Sequence, residues 1–152
     1  GKLKNCYGVW ESGYTSTEAD PRGIEADGNL DGIYPDHLRQ SDFAVENMTI
    51  VNNAANTTDN VDRMQDVIKI RRGAKATITN ALVKGSGGTI DLIDMNDSKG
   101  AGNAASSISI THTLNFKNKL NGTLNTFTEP TTNAGADASL FTWSGYDFSS
   151  LL

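Results

Sequence analysis

The sequence predicts an all-β fold, a right-handed parallel β-helix of about three coils with a C-terminal cap. Two observations support this prediction. Short segments repeat at irregular spacings of about 20 to 45 residues, and each repeat holds two strand-like pieces in which apolar and polar residues alternate. No segment keeps a helical period with caps at both ends, so the helix content should be low.

The clearest repeat lies at 66–88, where ITNAL at 78–82 aligns with VENMT at 45–49 and with ITHTL at 110–114. A fainter copy, LKNCY, lies at 3–7. The alignment predicts a column on successive coils made of Asn5, Asn47, Asn80 and His112. Stacked side-chain amides hydrogen-bond along such a column, as they do in cross-β ladders. The alternative is that Asn serves here only as a turn residue.

Apolar and charged positions form further columns. Because coils stack at about 4.8 Å, each inward side chain lies over its equivalent in the next coil. The predicted apolar columns are Ile24, Ile68 and Ile90, and Val45, Ile78 and Ile110. On the outside, charges of alternating sign are predicted at Glu25, Lys69 and Asp91.

Predicted strands and turns alternate along the chain. Besides the central repeat at 66–88, strands are expected at Lys2–Trp10, 23–27, 42–53, Thr89–Asp94 and 106–118, with a bend near Asn47. The loops between them are rich in Gly, Ser, Thr, Asn and Asp, the residues that tight turns need. We expect a single domain over 1–152, with coils over 1–118 and a capping segment over 119–152. Its apolar, aromatic stretch would cover the end of the coil stack.

Composition disfavours several classes of function. The 152 residues include 13 basic and 18 acidic side chains, and the net charge of −5 argues against binding to nucleic acid. The single cysteine, Cys6, allows no intramolecular disulfide, and its place in the repeat favours a small buried residue over a nucleophile. No apolar run approaches the length of about 18 residues that a transmembrane helix needs.

The start of the chain predicts a fragment. Strand-like sequence begins at once after Gly1, with no starting Met and no signal peptide, so we expect earlier coils and a targeting segment in a longer parent protein. The first strand would then present an uncapped edge, with Leu3 and Tyr7 exposed on it. Such an edge favours self-association.

Three motifs give the chain a resemblance to a known group of proteins. They are DPRGIEADGN at 20–29, IRRG at 70–73 and TIDLID at Thr89–Asp94. Over roughly residues 1–118, they resemble the C-terminal coils of secreted right-handed β-helix proteins of Bacteroidetes, described as cell-surface proteins or lipoproteins. The resemblance implies a location outside the cell or on the outer-membrane surface, and a longer parent chain. It transfers no catalytic residues.

A candidate calcium site follows the second predicted strand. Asp27, Asn29 and Asp31 place oxygen side chains at positions 1, 3 and 5 of a loop with Gly32 at position 6, a spacing that turns ligands toward Ca²⁺. Position 12 is Leu38 instead of Glu, so the loop is not an EF-hand. The alternative is an ordinary turn, which the same residue types favour.

Aromatic and basic residues mark candidate ligand-binding positions. Trp10, Tyr14 and Tyr34 fall on strand ends and loops, where aromatic faces can stack on sugar rings. Single exposed aromatic residues are also ordinary on protein surfaces. Arg71 is predicted to lie near Asp27, with Arg72 adjacent, and a cleft or an outer charge ladder would explain both arginines.

Three functions are compatible with this sequence. The leading hypothesis is a non-catalytic extracellular β-helix module that binds a polysaccharide, with Ca²⁺ as a candidate cofactor. The second is a polysaccharide lyase or glycoside hydrolase, since such enzymes use a base beside Ca²⁺-bound carboxylates or a pair of acids. The third is a structural surface stalk.

Overall fold

The computed structural model describes residues 1–14, 16–29, 40–55 and 63–151. Within these ranges, nine strands form two sheets, and every strand pair in them is parallel. The strands are β1 Lys2–Trp10, β2 Arg22–Asp27, β3 Asp42–Asn52, β4 Met64–Arg71, β5 Lys75–Lys84, β6 Thr89–Asp94, β7 Ser107–His112, β8 Asn118–Asn121 and β9 Thr126–Thr128. Two 3₁₀ helices follow, Ala138–Ser144 and Phe148–Ser150. The predicted all-β parallel β-helix is confirmed.

The chain alternates between the two sheets as it coils. The first sheet has the order β1-β3-β5-β7-β9, and the second has the order β2-β4-β6-β8. Each coil therefore supplies one strand to each sheet, which gives four coils and a fifth strand, β9, on the last of them. The sequence predicted about three coils, because residues 118–128 lack a long apolar pattern and resemble a capping segment.

Each long strand of the first sheet turns a corner at an asparagine. Asn5, Asn47 and Asn80 have φ values of 56°, 58° and 51°, in the left-handed region that Asn adopts more readily than most residues. The predicted bend at Asn47 is thus confirmed. The predicted fourth member of the column is wrong, because His112 lies beside Val83 instead of beside Asn80.

The apolar column of the first sheet agrees with the prediction for two coils and then departs from it. Val45 pairs with Ile78 as predicted. Ile78 then pairs with Ile108, whereas Ile110 lies opposite Ala81. The register between β5 and β7 shifts at this point, which the sequence pattern alone does not reveal because both isoleucines are apolar.

The second sheet shows the same kind of departure. Ile24 pairs with Ile68 as predicted, but the next partner along the stack is Ile93 and not Ile90. The side chains between the sheets form one continuous apolar core. Its largest fully buried members include Ile68, Ile70, Ile78, Leu92, Ile93, Ile108 and Ile110. Burial of such columns is the main stabilising term of the fold.

Residues 130–148, named here the C-terminal strap, cross the outer face of the first sheet. The carbonyl of Pro130 accepts from Thr111 on β7, and the backbone N–H of Ala136 donates to Thr49 Oγ1 on β3 at 2.9 Å. The ring of Phe148 packs against Tyr7 on β1, with centroids 4.9 Å apart. The strap therefore runs back along the stack from the last coil to the first, whereas the sequence predicted a cover over one end.

Among the described residues, no helix has the length and apolar character needed to cross a membrane.

Candidate functional site

A cavity of about 610 Å³ lies beside the first coil, between the end of β1 and the start of β2. Among the described residues, three aromatic side chains and two charged ones line it, together with an apolar floor. The aromatic lining is Trp10, Tyr14 and Tyr146, the charged lining is Glu11 and Arg22, and the floor includes Ile50 and Met64. We call this space the aromatic cavity.

The cavity exists because the first coil has a glycine, Gly8, at a position where the second coil has a large side chain. Gly8 pairs with Ile50 in the sheet, and a Cβ atom built on Gly8 would meet no heavy atom within 4 Å. The second coil carries the large Ile50 at the equivalent position, so its side chain becomes a floor. At Gly23 the space is already taken, since a Cβ there would lie 2.9 Å from Cδ1 of Ile50.

Trp10 and Tyr14 are brought together by a hydrogen bond in the loop after β1. The indole N–H of Trp10 donates to the carbonyl of Tyr14 at 3.2 Å, while the Trp10 ring packs against the core. Tyr14 is 69% exposed. Two of the three aromatic residues singled out from the sequence therefore line one cavity, whereas Tyr34 lies outside the described residues.

The C-terminal strap supplies the third aromatic wall. The phenol of Tyr146 donates to the carboxylate of Glu11, and its ring packs edge-on against Phe148 at a centroid distance of 5.0 Å. The hydrogen bond to Glu11 raises the pKa of Tyr146 to about 12, because it stabilises the protonated phenol. Sequence reasoning missed this residue, since no local pattern connects positions 135 residues apart.

Arg22 lines the cavity but is held by three carboxylates. Its Nε donates to Asp66 at 3.0 Å, Nη1 to Glu25 at 3.0 Å and Nη2 to Asp20 at 2.8 Å. The side chain is only 8% exposed. Arg22 thus links the cavity wall to the polar surface of the second sheet, and sequence reasoning had not selected it.

A cluster of buried carboxylates, Asp66, Asp91 and Asp94, lies further along the second sheet. One oxygen of each lies within 4.8 Å of the others. Asp66 pairs with Asp91 across the sheet, and Lys69 pairs with Asp94, which corrects the predicted partner of Lys69 from Asp91 to Asp94. The predicted alternation of charge from Glu25 to Lys69 holds. We call the three aspartates the carboxylate cluster.

Each member of the carboxylate cluster accepts a hydrogen bond from the protein. Arg22 donates to Asp66 at 3.0 Å, Asn118 donates to Asp91 at 2.7 Å, and the ammonium group of Lys69 donates to Asp94. Burial raises the pKa of Asp66, and the neighbouring charge of Asp94 adds to this effect while Arg22 opposes it. The cluster is therefore a hydrogen-bonded network within the sheet, in which Asp66 and Asp94 are ion-paired and Asp91 accepts from side-chain amides.

The predicted calcium ligands lie at the other end of these strands. The carboxylate of Asp27 accepts from Nε and Nη2 of Arg71, and Nη1 of Arg72 lies 3.8 Å away. The backbone N–H of Asn29 donates to the carbonyl of Arg72 at 3.2 Å, and Asp31 lies outside the described residues. Calcium binding at this loop stays a prediction, which calorimetry on the parent and on Asp31→Ala would test.

Arg71 and Arg72, the predicted basic ligand-binding residues, do not line the aromatic cavity. Arg71 pairs with Asp27, Glu25 and Asp97, and its hydrogen bond to Asp27 raises the pKa of the guanidinium further. Nε of Arg72 lies 3.6 Å from Oδ1 of Asp97. The structure thus places both arginines in an ion-paired group, and a role for them in binding stays a prediction.

The fold and the cavity define a parallel β-helix protein with an aromatic-lined cavity beside its first coil. A family model described as a pectate-lyase like beta helix domain matches residues 1–146, and the chain belongs to this family. This confirms the predicted membership of a β-helix family, while the resemblance to surface proteins of Bacteroidetes stays a prediction. Searches of the curated proteins and of the solved structures found no match.

Proposed function

We propose that the chain is a non-catalytic module that binds a glycan outside the cell, with the aromatic cavity as its binding site. One observation supports this most directly: Trp10, Tyr14 and Tyr146 line the same cavity. Aromatic rings stack on the apolar faces of sugars while their polar groups reach the hydroxyls. A volume of about 610 Å³ is in the range of small-molecule sites, which accommodates a few sugar units.

Polar groups around the aromatic walls suit sugar hydroxyls. The carboxylate of Glu11 can accept from a hydroxyl, and the hydroxyl of Ser16, which also lines the cavity, can donate and accept. A mostly apolar pocket with a few convergent polar groups is the usual form of a specific small-ligand site. The location outside the cell rests on the resemblance of the sequence to secreted β-helix proteins.

A glycan array followed by calorimetry on the strongest hit tests this function. Tyr14→Ala removes an exposed stacking surface and should lower the affinity about tenfold, since a stacked ring contributes on the order of 1–3 kcal/mol. Trp143→Ala is the matched control, because Trp143 is 82% exposed and does not line the cavity. Equal affinities of the parent and both variants would refute the cavity as the site.

A polysaccharide lyase or glycoside hydrolase is the second candidate function. The family description and the carboxylate cluster beside Lys69 favour it. Against it, the side chains of Lys69 and Asp94 are 8% and 10% exposed and paired with each other, which leaves little access for a polymer. Product analysis on each array hit separates the candidates, because chain cleavage would establish an enzyme. Absence of any glycan binding would favour the structural stalk.

A further inference from the structure

The charges around the aromatic cavity carry information about its ligand. Of the described residues that line it, Glu11 and Arg22 are the charged ones. Arg22 is the group that would bind an acidic sugar, since guanidinium groups recognise carboxylates through paired hydrogen bonds. Whether its donors are available therefore decides between a charged and an uncharged ligand.

Arg22 is already committed to the protein. Each of its three nitrogens donates to a different carboxylate, those of Asp66, Glu25 and Asp20, at 2.8–3.0 Å. Only 8% of its side chain is exposed. Three carboxylates thus surround Arg22 and neutralise its positive charge on this side of the cavity, and one of them, Glu25, also pairs with Arg71.

Glu11 adds a further negative charge to the wall. Its carboxylate accepts from the phenol of Tyr146, whose pKa of about 12 keeps it protonated and neutral at physiological pH. The phenol orients the carboxylate without neutralising it. A sugar hydroxyl can donate to the second oxygen of Glu11, whereas a sugar carboxylate would lose hydration and meet a like charge.

We infer that the aromatic cavity binds an uncharged saccharide and discriminates against uronates. This inference rests on the proposed glycan-binding function and specifies the class of sugar. The overall net charge of −5 acts in the same direction, because it disfavours the approach of a polyanion. Glu11 is the specificity-determining residue, and Tyr146 is the residue that positions it.

Matched pairs of tetrasaccharides provide the test. Cellotetraose, mannotetraose and galactotetraose are compared by calorimetry at neutral pH with the same chains carrying a carboxylate at C6 of every sugar. We expect the tightest neutral ligand to bind at least about tenfold more tightly than its uronate partner. Glu11→Gln should narrow this difference by about threefold or more, as removal of one like charge at short range predicts. Glu18→Gln, an exposed charge in the same loop, should leave it unchanged.

The possible failures are distinguishable. If a uronate binds as tightly as its neutral partner or more tightly, the inference is overturned while the proposed function stands. If Glu11→Gln leaves the ratio of the neutral-sugar affinity to the uronate affinity unchanged, the role of Glu11 in specificity is also overturned. If no saccharide of either class binds, the proposed function falls, and the inference falls with it.

Discussion

Asn80 donates a side-chain hydrogen bond to Oδ1 of Asn47 at 2.8 Å, across two adjacent coils. Asn47 in turn donates to Oδ1 of Asn5 at 3.0 Å, so the predicted ladder is confirmed over three coils. Oδ1 of Asn80 also accepts from the backbone N–H of Ala134 at 3.0 Å. The ladder thus joins the asparagine side chains at the corners of the first three coils, and it fastens the C-terminal strap to the first sheet.

Replacement of Asn80 should destabilise this corner in two separable ways. Asn80→Ala should lower the free energy of unfolding by about 1–3 kcal/mol, because the partners of the amide lose their hydrogen bonds. The left-handed backbone adds a further cost of about 1 kcal/mol for Ala. Asn80→Gly also loses the amide, but glycine adopts the left-handed backbone without strain. Its free energy of unfolding in urea should therefore lie between those of Asn80→Ala and the parent. Thr79→Ala, at an exposed neighbour, should have little effect, and three equal results would contradict the ladder's contribution.

Lys69 should contribute far more to stability than a surface lysine. Its ammonium group donates to Asp94 and to the carbonyl of Asn96, and the side chain is buried. Lys69→Ala leaves Asp94 without its cation, which should cost about 3–5 kcal/mol in the free energy of unfolding. Lys75→Ala breaks the exposed pair with Asp42 and should cost less than about 1 kcal/mol. Similar losses of unfolding free energy in the two variants would contradict a larger stabilising role for the buried pair of Lys69 and Asp94.

The carboxylates of Asp66 and Asp97 should affect the pH dependence of stability in opposite directions. Burial raises the pKa of Asp66 above its ordinary value of 3.8, so the native state holds this proton more tightly than the unfolded state. The contribution of the Asp66 carboxyl to the free energy of unfolding is therefore present below pH 3.8 and is lost as the pH rises through the native pKa. The stability of Asp66→Asn relative to the parent should therefore increase from about pH 3 to pH 7.

Asp97 provides the opposite case. Burial opposes ionisation there, but the backbone N–H of Lys99 and the charges of Arg71 and Arg72 lower its pKa below the ordinary value. The contribution of the Asp97 carboxylate to the free energy of unfolding is present above pH 3.8 and is lost as the pH falls through the native pKa. Asp97→Asn should lose stability relative to the parent as the pH rises, which urea unfolding at several pH values would measure. The same slope for both variants would refute the opposite pKa shifts.

The repeat pattern was sufficient to predict the fold, because stacking equivalent side chains leaves a signal in the sequence. The columns Ile24–Ile68 and Val45–Ile78 follow from it directly. The errors begin where a segment contains two suitable apolar residues, as in β6, where Ile90 and Ile93 both fit the pattern. A turn of variable length then decides the register, and turn length leaves no periodic trace.

The sequence predicted two of the three aromatic residues that line the aromatic cavity. Trp10 and Tyr14 lie close together in sequence, and their position at a strand end marked them as candidates. Tyr146 reaches the cavity only because the C-terminal strap folds back over the first sheet to Glu11. The position of the strap depends on long-range contacts, such as the packing of Phe148 on Tyr7, for which the sequence gives no repeat to align.

The first strand should mediate self-association through its exposed edge. β1 forms the end of the first sheet, and Leu3, which continues the apolar column above Val45, is 59% exposed. An open strand edge with an apolar side chain offers both hydrogen bonds and buried area to a second copy. Sedimentation should show concentration-dependent association that Leu3→Lys abolishes. Leu140→Lys, at a half-exposed position on the strap, should leave it intact. Tyr7 is unsuitable for this test, because its ring packs on Phe148 and a charge there would release the strap. A monomeric parent at high concentration would refute association through β1.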